Sequence, residues 1–413
     1  MSSSHSPVAT GPESGAMKVA PAMARGAPRL DALTGAAVNR TVQIVCGAGL
    51  VSGKEIVCLL LARGLRDAGW NPGFMTSRWS DGEFVQRLER DGFKFDLLRL
   101  GFISASPRLA PALMTLDQLR CWPALAYGYM HRVAATSPRV IIHTNWHHTL
   151  LLLPFLTAHR DIFWAHDIFP NRPHYTRVLR LIGGRVGRIA CVSHAVADSV
   201  LALGIPESRI AIIHNGVPLA DAMHYRDGEQ TLRLGIVGQV APWKGHEDLI
   251  DALALLTSDE PSIRLRIFGV GDPAYVASLE RRLADRGVGK MVEWCGFVNN
   301  QADIYRAIDV CVVPSRVEEA LGMSALEAGA FGRPVICSSR GGLREIVEDG
   351  VTGLVVEAER PEQLAQAISL LARHPDLVGK MAESARKRVR SEFSIARFVE
   401  CFVQLFDQLE PRA

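Results

Sequence analysis

The 413-residue sequence predicts an α/β protein of two doubly wound, Rossmann-like domains facing each other across a cleft. Three observations predict it. Short β-prone runs alternate with helix-spaced segments through residues 41–390. The alternation breaks once, at a polar stretch over residues 218–230, and then restarts. The length also suits two hydrophobic cores, since a single core rarely grows past roughly 250–300 residues. Ligands of such sheets sit beyond the C-terminal strand ends, so a gap between two sets of ends is the default site.

The elements follow in order. Residues 1–40 are rich in Ala, Ser, Pro and Gly and read as a disordered leader. The first domain, 41–217, opens with a strand at Val42–Cys46 and glycines at 47, 49 and 53. A helix over Glu55–Ala68 follows, with Ile56, Leu59, Leu60, Ala62 and Leu65 on its apolar side. Strands are expected at Val140–His143, Asp161–Ala165, Ile189–Ser193 and Ile210–His214, the last closing on the turn pair Asn215-Gly216. A linker covers 218–230. The second domain, 231–390, carries strands at Leu232–Val237, Leu265–Phe268, Met291–Trp294, Val310–Val313, Val335–Ser338 and Leu354–Val356. Helices are expected between them at Glu247–Leu256, Ala274–Arg286, Ala302–Ala307 and Ala325–Phe331. The remainder, 391–413, holds an amphipathic helix, Ser394–Leu409, which either joins the second domain or crosses back to the first.

Composition narrows the function. A net charge of +3 is too close to neutral to argue for nucleic acid, and none is expected as a partner. The charge is uneven, +8 over residues 1–228 and −5 over 229–413, so the first half suits an anionic partner or membrane surface. Eight scattered cysteines without a C-x-x-C pair read as buried thiols in a reducing, cytoplasmic setting. No run reaches the ~18 apolar residues of a membrane helix. The segment Pro107–Arg139 mixes Arg108, Arg120, Arg132 and Arg139 with Leu, Trp and Tyr. It reads as a helix pair with snorkelling arginines or as a surface resting on an anionic membrane. The cluster His143, His147 and His148 lacks the spacing of a zinc site, so no metal is expected and these side chains should line the ligand side.

The strongest chemical signal is Pro314–Ile336, PSRVEEALGMSALEAGAFGRPVI. A buried strand gives way to a loop with Glu318 and Glu319, then Leu321-Gly322-Met323 opens a helix bearing Glu327. Free amides at a helix start suit a phosphate, and Gly322 allows close backbone approach. Glu319 and Glu327, on the loop and one turn into the helix, can face one ligand and accept hydrogen bonds from sugar hydroxyls. Taken singly, each is as readily a solvated surface acid.

The whole stretch resembles the retaining glycosyltransferases of the GT-B fold, family 4 (glycosyl transferases group 1), whose E-x7-E pattern appears as Glu319 to Glu327. Gly238–Gly245 resembles that family's phosphate loop. Gly269-Val270-Gly271, Gly296-Phe297-Val298, Gly341–Glu345 and Asp349–Gly353 fit its other segments. Ser52-Gly53, His166-Asp167, Val192-Ser193 and Asn215-Gly216-Val217 fit more loosely in the first half. The resemblance implies that Glu327 binds the donor ribose and that Glu319 contacts the donor sugar beside its anomeric carbon. Lys244 would neutralise the diphosphate, held at Leu321–Met323. Val298 would lie near the base, and Gly53 would let the first domain's backbone approach the phosphates. Gln239 stands where the family usually has arginine, which weakens the diphosphate clamp. His166 would contact the donor sugar and support catalysis, or else bond Asp167 for local structure.

The implied activity is transfer of a sugar from a nucleotide-diphosphate donor to a glycan or lipid-linked acceptor, with retention, as in polysaccharide biosynthesis. No cofactor is expected, and without an Asp-x-Asp motif no divalent cation. A sugar-nucleotide epimerase and a non-catalytic nucleotide-sugar-binding protein share the architecture. A phosphorylase would need a longer chain and a pyridoxal-bearing lysine.

Overall fold

The computed structural model describes residues 39–47, 51–79, 82–103, 109–221, 231–256 and 261–409. The expected leader up to residue 38 and residues 222–230 of the expected linker lie outside them.

Two parallel sheets form. The first contains Thr41–Val45 (β1), Asn71–Ser77 (β2), Lys94–Leu98 (β3), Val140–His143 (β4), Asp161–Ala165 (β5), Arg188–Cys191 (β6) and Ile210–Ile212 (β7). Their order is β3-β2-β1-β4-β5-β6-β7. The second contains Thr231–Val237 (β8), Ser262–Phe268 (β9), Val292–Gly296 (β10), Val310–Val313 (β11), Val335–Ser338 (β12) and Gly353–Val356 (β13). Their order is β10-β9-β8-β11-β12-β13. Helices cover both faces, so the central strands are buried on both sides and read as continuous apolar runs. In each sheet the winding reverses beside the first strand, between β1 and β4 and between β8 and β11. Crevices outside such reversal points are where ligands enter these folds.

The sequence patterns missed β2 and β3. β2 begins Asn71-Pro72-Gly73, residues that normally argue against a strand. Gly73 is needed there: a Cβ would sit 2.8 Å from Gln43 Nε2 on the neighbouring strand. β3, KFDLL, is an edge strand with charged residues among its apolar ones, so it shows no buried run. Helices Pro361–Arg373 and Pro375–Glu392 were also not anticipated. Each starts with proline in its first turn, where the missing N–H costs no hydrogen bond.

Helix Pro375–Glu392 runs through residue 390, so the chain turns at Phe393-Ser394. The final helix, Ile395–Asp407, packs on the first sheet's side. Phe398, Phe402 and Phe406 are at most 2% exposed. Phe402 meets Trp164 edge-on with centroids 4.9 Å apart, and Phe406 meets Trp70 at 5.1 Å. Gly64 allows this contact, since a Cβ there would fall 2.5 Å from Val399 Cγ2. The outgoing and returning chain run side by side: Val217 N–H donates to Phe393 O at 2.9 Å.

Candidate active site

A cavity of about 970 Å³ lies between the C-terminal ends of the two sheets, at the upper end of the range for small-molecule sites. All ten residues expected to bind the donor or act in catalysis line it, whereas His143, His147 and His148 do not.

The second lobe builds one wall. β11 ends at Val313, and the following loop delivers Glu319 and Leu321 before helix Met323–Ala330. Gly322 caps that helix with φ +98°, and a Cβ there would meet Leu343 Cδ2 at 2.4 Å. Only glycine fits this helix start. Glu319 Oε1 accepts from Lys244 Nζ at 2.6 Å and from Ser315 Oγ at 2.5 Å. The acid and the lysine singled out separately are therefore paired with each other. Glu327 lies one turn into the helix and accepts from Tyr305 Oη at 3.0 Å. Burial pushes its carboxyl up to about 7, against the pull of hydrogen bonds from Tyr305 and Gln301. Gln239 is exposed on the loop after β8, and Val298 is half-buried on the loop after β10.

The first lobe builds the facing wall. Ser52 caps helix Gly53–Asp67, and buried Glu55 takes the Ser52 N–H at 2.9 Å. This box fixes Gly53 and Lys54 at the cavity edge. Gly53 faces Met323: a Cβ on it would stand 4.0 Å from Met323 Cγ, so the two helix starts confront each other. His166 follows β5 and leans on Trp164, centroids 4.2 Å apart. Its Nε2 has no partner among the described residues, and no hydrogen bond to Asp167 forms. Burial, with Lys54's charge, holds His166 well below the usual imidazole range, so it stays neutral. Asn215, 4% exposed, also lines the cavity; its Nδ2 meets Met323 Sδ at 3.5 Å and its Oδ1 has no partner among the described residues.

The lobes also touch outside the cavity. Glu345 of the second lobe accepts from the N–H groups of His194 (2.9 Å) and Ala195 (3.0 Å) and pairs with His214 Nε2 at 2.7 Å. It thereby caps a first-lobe helix, His194–Leu201. Burial alone would raise this carboxyl, but the three bonds hold it below its ordinary value. Ser193 Oγ donates to Ala320 O beside it.

Sequence reasoning quoted Glu345 and Asn215 within motifs but gave them no role, and it missed Lys54 and Tyr305. Lys54 stood beside Gly53 at an expected helix start, which was a usable signal. The histidine cluster departs from expectation. His143 bonds buried Asp161 at 2.8 Å and belongs to the core. His148 is 1% exposed with neither nitrogen bonded among the described residues, and His147 stacks on Trp146. Among the described residues no group of three or more His, Cys, Asp or Glu is placed to hold a metal ion. No described helix is long and apolar enough to cross a membrane.

Comparison with known proteins covers both lobes. Residues 51–221 match the family model described as Glycosyltransferase Family 4, and residues 226–388 match that described as Glycosyl transferases group 1. The D-inositol 3-phosphate glycosyltransferase of Geodermatophilus obscurus is 32% identical over 243 residues, 51% of this chain and 53% of that protein. Its counterpart in Actinosynnema mirum is 30% identical over 255 residues, 56% of this chain and 60% of that protein. The chain thus spans about half the length of the curated relatives it matches. Among solved structures, a glycosyltransferase from Rickettsia africae superimposes with a TM-score of 0.75 at 20% identity, covering 91% of this chain and all of that one. Anabaena HepE in complex with UDP and glucose gives 0.71 at 20% identity, covering 90% of this chain and 100% of that one. These likenesses identify the fold as GT-B.

Proposed function

We propose, starting from a chain that belongs to the GT4-type glycosyltransferases, that this cleft transfers a sugar from a nucleotide-diphosphate donor to an acceptor held by the first lobe. The observation that carries the reading is the convergence of Glu319, Glu327, Lys244 and the Gly322–Met323 helix start on one cavity wall. The bare amides receive the diphosphate, and Lys244 exchanges Glu319 for a phosphate oxygen. Glu319 is then free to accept from a sugar hydroxyl, and Glu327 accepts from the ribose. Neutral His166 hydrogen-bonds the sugar, and the backbone around Val298 meets the base. The acceptor hydroxyl attacks the anomeric carbon on the face the diphosphate leaves. A new C–O bond forms, the C–O bond to phosphate breaks, and the acceptor proton passes to the departing phosphate oxygen. The configuration is retained, and charge stabilisation of the leaving group supplies most of the acceleration.

The acceptor in this reading is a glycan or a lipid-linked sugar, as in polysaccharide assembly. Helix Leu109–Arg120 supports the lipid-linked case. Leu109, Leu113, Met114, Leu116 and Leu119 on it are 54–75% exposed, with Tyr127 of the next helix 69% exposed. This face would rest on an anionic membrane. Flotation with phosphatidylglycerol liposomes, and its loss in Leu113→Glu/Leu116→Glu, tests that part. No metal or cofactor is needed in this reading, so EDTA should leave turnover unchanged. The eight unpaired thiols suit a cytoplasmic enzyme.

The experiment is a screen of UDP-, GDP- and ADP-sugars with glycan acceptors, followed by NMR of the product's anomeric coupling. Glu319→Ala and Lys244→Ala should each lower turnover about 100-fold or more. Wild-type rates in both variants, or an inverted product, would refute the reading. Conversion of the donor with no acceptor present would instead make the protein an epimerase.

A further inference from the structure

Two cationic side chains line the cavity among the described residues, Lys54 and Lys244. Their situations differ. Lys244 is already paired with Glu319 at 2.6 Å. Lys54 has neither a hydrogen bond nor an ion pair among the described residues. The nearest carboxylate in sequence, Glu55, is committed to capping Ser52. The imidazoles close to Lys54 bring no charge. Burial keeps His147 and His148 neutral, lowering them to about 4 and 3, and holds His166 well below its usual range. On the opposite lip, the loop Gly238-Gln239 contributes only a neutral amide. A nucleoside diphosphate carries more than one negative charge, which Lys244 alone does not balance.

Geometry brings Lys54 to the place where that charge would lie. It sits in the first turn of helix Gly53–Asp67, and its neighbour Gly53 directly faces Met323 at the start of the opposing helix. A diphosphate resting on the Gly322–Met323 amides therefore lies between the two helix starts.

We propose that Lys54 supplies the second cation to the donor diphosphate from the first lobe, so that the diphosphate bridges the lobes and donor binding draws the cleft shut. This inference rests on reading the cleft as a nucleotide-sugar site. It assigns Lys54 to the donor although it stands on the acceptor's wall. The unpartnered Asn215 Oδ1 and His166 Nε2 on that wall are then left to meet sugar hydroxyls.

The test separates diphosphate recognition from general binding. Calorimetry on the full chain compares the diphosphate and monophosphate of whichever of uridine, guanosine and adenosine binds the wild type best. K54Q should weaken diphosphate binding about tenfold and leave the monophosphate unchanged, because a charge-assisted contact is lost only where the outer phosphate sits. K54R should keep the wild-type ratio. Adding Q239R to K54Q returns a cation from the other lip and should restore most of the ratio. An unchanged ratio in K54Q overturns the proposal, as does a K54Q defect confined to the acceptor KM, which would assign the lysine to an acceptor anion. A wild type that binds none of these nucleotides overturns the nucleotide-sugar reading itself, and this inference with it.

Discussion

The two walls of the cleft differ in how their polar groups are occupied. On the second lobe's wall each acid is engaged: Glu319 holds Lys244 and Ser315, Glu327 holds Tyr305, and Asp272 accepts from the N–H groups of Ala274 and Tyr275. On the first lobe the groups wait: Lys54, His166 Nε2 and Asn215 Oδ1 have no partners among the described residues. An engaged wall is preorganised. Its charges are already positioned, and a ligand substitutes for one partner without creating an unpaired charge. An open wall holds its polar groups at a cost, which a bound ligand relieves. The difference suggests an order of events, donor on the prepared wall first and contact with the open wall afterwards.

After the losses expected for Glu319→Ala and Lys244→Ala, the largest effect should come from breaking the open wall. His166→Ala should lower turnover about 100-fold while the unfolding temperature moves little, as expected for a positioned hydrogen-bonding group. Because burial and Lys54 keep His166 neutral, any inflection of the wild-type pH–rate profile near 7 belongs to Glu327 and should persist in His166→Ala. An inflection there that vanishes in the variant would contradict this.

A smaller effect sharpens the engaged wall. Glu327 has its pKa raised to about 7. At low pH its carboxyl is neutral in both folded and unfolded chains. As pH rises from about 4.5 to 7 the unfolded chain ionises and the folded one resists, so the fold loses stability over that window. Glu327→Gln should remove this slope and leave the protein about 2–3 kcal/mol more stable than wild type at pH 8, with weaker nucleotide binding. Urea titrations at pH 5 and pH 8 decide it; equal slopes in both proteins would refute it.

The smallest concerns the contact joining the walls. The depressed pKa of Glu345 means that its contribution is present above the unfolded value and lost as pH falls through the lower folded value. Glu345→Gln should cost about 1–2 kcal/mol at pH 7 and nothing further in acid. Small-angle scattering should also show a wider distribution of lobe separations. An unchanged acid midpoint would remove the contact from the account.

Much of the second lobe was legible in the sequence. β11 and β12 fall on their expected bounds, Val310–Val313 and Val335–Ser338, because fully buried parallel strands are short unbroken apolar runs. Glu319, Gly322 and Glu327 could be read together because one loop and one helix turn carry them all. The first lobe was less legible. Pro72 and Gly73 disguised β2, and polar edge residues disguised β3. Tyr305 lies 22 residues from Glu327, and Glu345 lies 151 from His194, so these pairs exist only through packing. No local pattern marks them.

The return of helix Ile395–Asp407 to the first sheet has a consequence for how the protein is made. Phe398, Phe402 and Phe406 pack on Trp164 and Trp70, more than two hundred residues earlier in the chain. On the ribosome, strands β8 to β13 emerge before that helix, so the second lobe can close its sheet while the first still lacks part of its interior. The half synthesised first is thus sealed only after the second, and its Trp70 and Trp164 must be shielded from aggregation until that helix has been made.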